Sequence, residues 1–211
     1  MEAMKQRVFD RSGGHLAIDF VNTVGGMRPH RPREYLVGYA DLLAFAVQTG
    51  SLAEGQAERI AELARERPAE AEAALAEARE LREALHRVFE ARVAGQRPAP
   101  ADLALLNAAL ARALSHRRLA EGEGCCALGW DGALALDAPW WPIVAAAADL
   151  LASAGELSRV RVCGMSEEGE CGWLFLDRTK ARTRRWCSMQ DCGNRAKARR
   201  HYAKVKGSGA G

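Results

Sequence analysis

The sequence predicts a mainly α chain with a small β-hairpin: a helical N-terminal domain, then a short C-terminal module gathered by cysteines. Three observations predict it. Apolar residues recur at helical spacing through much of residues 34–153, as in Leu75, Ala78, Leu81, Leu85, Val88 and Phe89. Four of the six cysteines fall in two pairs, Cys163-x7-Cys171 and Cys187-x4-Cys192, with fifteen residues between the pairs. Charge is also divided along the chain. The whole is +3, yet residues 178–211 carry eleven basic residues against one acid, Asp191, while residues 1–177 carry 19 basic and 26 acidic residues, or −7. Such asymmetry points to a polyanion partner for the C-terminal end.

Residues 1–12 are polar and read as frayed; Gly13-Gly14 reads as a turn. Residues 16–24 carry two periodicities. Leu16, Phe20 and Val24 make a helical stripe, whereas Leu16, Ile18 and Phe20 alternate as in a strand. Helix is preferred. Asp19, Asn22 and Thr23 are then polar groups on an apolar element, and their simplest role is capping and bonding to the following loop. The sharper alternative is a small-molecule pocket formed with Arg28, Arg31 and Arg33. Residues 25–33 read as a Gly/Pro/Arg loop.

Helices are predicted over 34–49, closed by Gly50, and over 56–65. A long helix follows over 69–93, with Pro68 at its first position. Another covers 101–114, with Leu103, Leu106, Leu110 and Leu114 inward. His86 and His116 read as surface or hydrogen-bonded imidazoles. Asp131-Gly132 is a two-residue hairpin signal between 125–130 and 133–137, with Cys125 and Cys126 on opposite strand faces. Residues 139–153 form the last helix of the N-terminal domain. Its apolar run is broken by Pro142 and Asp149 and falls short of the roughly 20 residues that span a bilayer.

The C-terminal module is too small to bury enough apolar surface unaided. Trp173, Leu174, Phe175, Leu176 and Trp186 are its main apolar mass. A tetrahedral zinc held by Cys163, Cys171, Cys187 and Cys192 supplies the missing stability, since structural zinc contributes on the order of 10–16 kcal/mol in finger peptides. Residues 173–176 read as a strand, 177–184 as a polar turn and 185–187 as the returning strand. A helix begins at Cys192. Knuckle, hairpin, knuckle and helix describe a treble-clef-like zinc finger. Disulfides and a rubredoxin-like iron site are the alternatives. Residues 1–5 lead into no apolar core, so no secretory signal is read and a reducing, cytoplasmic setting is expected.

On the predicted final helix, Ala198, Tyr202 and Val205 form a narrow apolar stripe able to pack back on the finger. Arg195, Lys197, Arg199, Arg200 and Lys204 are the candidate nucleic-acid contacts, with Arg184 and Arg185 assisting.

These residues resemble the CGNR zinc finger of bacterial regulators. The resemblance is carried by Cys171-Gly-Trp-Leu-Phe-Leu-Asp177, Arg184-Arg185-Trp186-Cys187-Ser188-Met189 and Cys192-Gly193-Asn194-Arg195-x-Lys197. Family members commonly hold the first two cysteines closer, so residues 164–170 read as an insertion, and Cys125 or Cys126 is the alternative first ligand. Leu16-Ala-Ile-Asp-Phe-Val-Asn-Thr23 is similar to the opening of the ABATE domain, which accompanies this finger in stress-induced transcription regulators. The resemblance implies a DNA-binding regulator with an N-terminal sensing domain.

The expected domains are 1–158, helical and ABATE-like; 159–206, the finger; and 207–211, a flexible tail. The expected partners are duplex DNA, a small-molecule effector and a second copy in a homodimer, with RNA or an acidic protein surface as alternatives to DNA. No membrane partner and no enzymatic activity are expected. Nucleophile elbow, phosphate loop, dinucleotide loop and HExxH are all missing from the sequence. A closed four-sulfur site also leaves no coordination position for water.

Overall fold

The computed structural model describes residues 7–28 and 30–208, the side chains of Arg31, Lys204 and residues 206–208 excepted. Its centre is helix α1 (Leu16–Val21). His15 caps this helix, its Nδ1 accepting from the Ala17 amide at 3.2 Å. Ala17, Ile18, Phe20 and Val21 are wholly buried against α4 (Pro68–Val93) and α6 (Trp141–Ala152). The helical reading of residues 16–24 holds for the first six. Val24 instead opens a strand, because the Thr23 hydroxyl donates to the Phe20 carbonyl at 2.7 Å and the chain leaves the helix at Asn22.

The loop expected over 25–33 is an antiparallel ribbon, β1 (Val24–Met27) on β2 (Arg31–Glu34). Pro32 is tolerated because a two-stranded ribbon has open edges. Gly25 is required here: a Cβ on it would lie 2.2 Å from the Tyr35 hydroxyl. Glu34 fastens the ribbon to α4, receiving both Nη groups of the buried Arg82 at 2.7 and 2.6 Å.

The helix expected over 34–49 begins later, as α2 (Tyr39–Gln48). Asp41 sets its start by accepting from the Val37 and Gly38 amides, which draws residues 37–38 into the cap. Helices α3 (Glu54–Glu66) and α4 follow close to expectation, α4 with Pro68 at its start. In α5 (Pro100–Leu114) the buried stripe is Asp102, Leu106, Ala109 and Ala113, while Leu103 and Leu114 are exposed. Small alanines let α5 approach its neighbours, and Arg87 holds Asp102 in a forked pair at 2.5–3.1 Å. That combination turns Leu103 and Leu114 outward, while Leu106 stays buried and Leu110 packs against the core.

The second hairpin is also displaced from its predicted position. Strand β3 (Arg117–Glu121) pairs with β4 (Cys126–Trp130), and the turn is at residues 122–125. Asp131-Gly132 ends β4 instead of turning it: the Asp131 carboxylate caps the Ala133 amide and meets His116 Nδ1 at 3.0 Å. The arginine-rich β3 carries no strand alternation because this ribbon lies on the surface and needs no apolar face. A single 3₁₀ turn, Ala138–Trp140, leads into α6 and then α7 (Ala154–Leu157). Among the described residues no helix is long and apolar enough to cross a membrane.

Strand β5 (Val160–Val162) pairs antiparallel with β6 (Leu174–Leu176). Strand period sorts β6 between two cores. Leu174 and Leu176 point into the helical body, and Phe175 between them packs with the cysteines. The finger is thus built onto the body through one shared strand. Helix α8 (Asn194–Ser208) closes the chain.

Candidate metal centre and basic helix

Cys163 leaves β5, and Cys171 lies ahead of β6. Cys187 follows the irregular residues 184–186, and Cys192 lies in a π-helical turn, Met189–Gly193, that starts α8. The predicted second strand at 185–187 does not form. Strand β6 takes β5 as its partner instead, and residue 185 contributes only its carbonyl, which accepts from the Gly164 amide at 2.8 Å.

All four Sγ atoms lie within 4.8 Å of one another and all four residues are buried. Cys171 and Cys187 sulfurs are 3.7 Å apart, and Cys187 and Cys192 sulfurs 3.6 Å. A tetrahedron with Zn–S near 2.3 Å has S···S edges of about 3.8 Å, so the donor set fits one zinc. The electrostatics agree. Hydrogen bonds from Cys171 and Cys187 hold the Cys163 thiol down to about 2, and the same contact with Cys163 pushes Cys171 up to about 12. Contact with Cys163 and Cys171 also drives Cys187 upward, and burial raises Cys192. Four thiolates this close repel one another unless a cation sits among them, and zinc supplies that charge. Cys125 and Cys126 are exposed on the β3–β4 ribbon, outside this cluster, which settles Cys163 as the first ligand.

Buried polar groups support the cage. Asp177 accepts from the Thr179 hydroxyl and amide and from the Arg184 amide, and the hydroxyl above all holds its carboxyl below the usual range. Arg184, expected to assist at nucleic acid, is directed inward. Its guanidinium lies 4.5 Å from the Phe175 ring centroid and donates to the carbonyls of Ser12 at 2.7 Å, Trp186 at 3.0 Å and Cys187. Arg185 is exposed beside Trp186.

The first turn of α8 is anchored to the cage by Cys192 and the buried Ala196. The expected packing of Ala198, Tyr202 and Val205 is not seen. All three are exposed, Tyr202 at 67%, because Ala196 alone faces the sulfurs and the helix then runs into solvent. Arg195 donates to Cys192 Sγ at 3.1 Å and pairs with Asp191 and Glu170. Arg199 pairs with Glu168 and Glu170. Lys197 and Arg200 are exposed, and no ion pair to them is found among the described residues. The Lys204 side chain lies outside the described residues. Sequence reasoning missed the role of the loop acids. Their signal was present, since Glu167, Glu168 and Glu170 are the only acids between the first two cysteines of an otherwise basic module.

The proposed pocket residues separate. Asp19, Asn22 and Arg33 line one cavity, whereas Arg28 lies elsewhere, bonded to Glu83 at 2.9 Å and to the Val21 carbonyl at 2.7 Å. The Arg31 side chain is outside the described residues. Asn22 is a fastener. Its Nδ2 donates to the Leu174 carbonyl at 2.8 Å and its Oδ1 accepts from the Leu174 amide at 3.0 Å, an imitation of a strand pair that joins α1 to β6. Trp173 Nε1 to the Val24 carbonyl at 2.7 Å, and the Leu176 amide to the Gly13 carbonyl at 2.8 Å, extend the seam.

A buried four-thiolate cage carrying a basic helix, joined to a helical body, defines a zinc-finger protein with a structural metal. The chain belongs to the ABATE family, described as "Putative stress-induced transcription regulator", whose model matches residues 14–154. The CGNR zinc finger model matches residues 159–205. No curated protein matches the sequence.

Proposed function

We propose that the chain is a DNA-binding transcription regulator in which α8 meets duplex DNA and the N-terminal domain senses a small-molecule effector or dimerises. One observation carries the reading: Lys197 and Arg200 project, exposed and without ion pairs among the described residues, from a helix whose first turn is fixed by a zinc ligand. Anchoring reduces the conformational freedom lost when a helix enters a groove. Lys204 and Arg185 are the further contacts. Arg195 and Arg199 are held by Glu168 and Glu170, so phosphate has to displace carboxylate to reach them.

One small module covers only roughly 600–1,000 Å² on DNA, so the active species is proposed to be a homodimer. The reading assigns no catalysis, because four sulfurs complete the zinc shell. Tyr202, exposed beside the cations, favours a second reading in which the helix binds RNA by stacking on an unpaired base.

The test is fluorescence anisotropy of the zinc-loaded chain with duplex DNA and with RNA across a salt series. Lys197, Arg200, Lys204 and Arg185 on four phosphates give a slope of about −4 for log K against log salt. Salt-insensitive or missing binding to duplex DNA overturns the reading, and tighter binding to RNA selects the alternative. Light scattering that finds a strict monomer with and without DNA overturns the dimer.

A further inference from the structure

A cavity of about 360 Å³ opens where the N-terminal segment, α1, β2 and the finger meet. Arg7, Phe9, Asp19, Arg33, Tyr35 and Trp173 line most of it. Two of these lining residues carry a buried polar atom without a hydrogen-bond partner, the acceptor Asp19 Oδ1 and the donor Arg7 Nε. Asp19 is only 6% exposed. Arg7 Nε forms an ion pair with Asp41 at 3.5 Å, longer than a good hydrogen bond.

The neighbouring polar groups are already committed. Asn22 bonds to Leu174, the Thr23 hydroxyl to Phe20 and Trp173 Nε1 to Val24. Arg11, close enough to act on the acid, spends its Nη1 on the Gln48 carbonyl at 2.8 Å. The backbone of Gly13 lies against the acid, and a Cβ there would come within 2.6 Å of Asp19 Oδ1. Burial, opposed by the Gly14 and Gly13 amides, still pushes the Asp19 carboxyl up to about 7. Across the cavity the guanidinium groups of Arg7 and Arg33 lie 5.7 and 5.6 Å from the Tyr35 ring centroid. One wall therefore needs a donor and the other an acceptor. Filling either alone leaves a buried polar group unmet.

We propose that this cavity binds a small zwitterion of amino-acid size, with its ammonium group on Asp19 and its carboxylate on Arg7 and Arg33. The assignment deepens the sensing role given above to the N-terminal domain and rests on it. Asp191, which pairs with Arg195 of α8, also lines the cavity, so the site touches both body and finger.

The zinc-loaded full chain is titrated by calorimetry and followed by thermal shift with the common L-amino acids one at a time. Acetate and methylamine serve as half-ligand controls. The expected result is saturable binding of at least one amino acid, with neither control binding at the same concentration. Asp19→Asn keeps the shape of the side chain and weakens that binding about tenfold or more, as does Arg33→Gln at an exposed position. No binding by any amino acid at millimolar concentration, equal binding of acetate or methylamine, or affinity unchanged in both variants overturns the proposal. Should Asp19→Asn fail to fold, Arg33→Gln decides alone. No DNA is present in this titration, so its failure and a failed DNA shift are separate results.

Discussion

In the N-terminal body the core is closed by large apolar side chains, with Phe20, Phe45, Phe89, Trp140 and Trp141 almost wholly buried. In the finger the same role falls to four cysteines, joined by Met165, Phe175 and Ala196. Each buried aromatic or leucine of the body contributes about 1.5–3 kcal/mol, and the body has enough of them to hold its shape. The finger has one fully buried aromatic and depends on metal coordination. The difference teaches where each region is vulnerable: the body to cavities and unpaired polar groups, the finger to loss of a single ion.

The largest effect expected is therefore metal removal. Chelation, or Cys187→Ser, removes on the order of 10 kcal/mol from the finger. Circular dichroism then keeps most of the helical signal of α2 to α6, while Trp173 and Trp186 fluorescence changes and DNA binding is lost. Collapse of the whole helical signal would break the comparison and show that the body leans on the finger through β6.

Second comes pH, which probes the body. The folded Asp19 carboxyl is raised to about 7 from 3.8, chiefly by burial. A raised acid favours the folded state when protonated. Its stabilising contribution is full below pH 4 and is lost as pH rises through 7, about 4 kcal/mol in all. Asp19→Asn flattens this part of the stability–pH curve and leaves the variant more stable than the parent above pH 7, measured by urea denaturation.

The seam between the regions is sharpened by Asn22→Ala. It strands both backbone groups of Leu174 and costs about 2–4 kcal/mol. Hydrogen exchange should quicken at β6 and α1 together, because they share the lost pair. Exchange confined to β6 would mean that the seam is held by the leucines alone.

The smallest effect belongs to the acid loop. Glu168→Gln with Glu170→Gln frees Arg199 and loosens Arg195, and duplex DNA affinity rises a few-fold, as suits surface ion pairs worth about 1 kcal/mol or less. Unchanged affinity would show that these arginines do not meet phosphate.

The parts visible in the residue order are those with local causes. The long helix over 69–93 is announced by its apolar spacing and by Pro68. The zinc ligands are announced by paired thiols in a stretch too poor in apolar mass to fold alone. The first ribbon of the body escaped notice because Gly25, Gly26 and Pro32 look like loop, and the second was placed with the wrong partner strand because Arg117 and Arg118 look like surface. A two-stranded ribbon leaning on a helical core does not need the alternation that marks a strand.

The roles of polar side chains were legible least. Asn22 and Arg184 have ordinary neighbours in the chain, and nothing near them hints that one fastens a strand 152 residues away and the other braces a metal cage. Local propensity and ligand chemistry act over a few residues, so residue order alone was enough to specify the helices, the four sulfurs and the excess of positive charge at the C-terminal end. Which arginines face outward, which acid stays unpaired, and how finger and body share β6 depend on groups far apart in the chain meeting in a low-dielectric interior, and only folding brings those groups together.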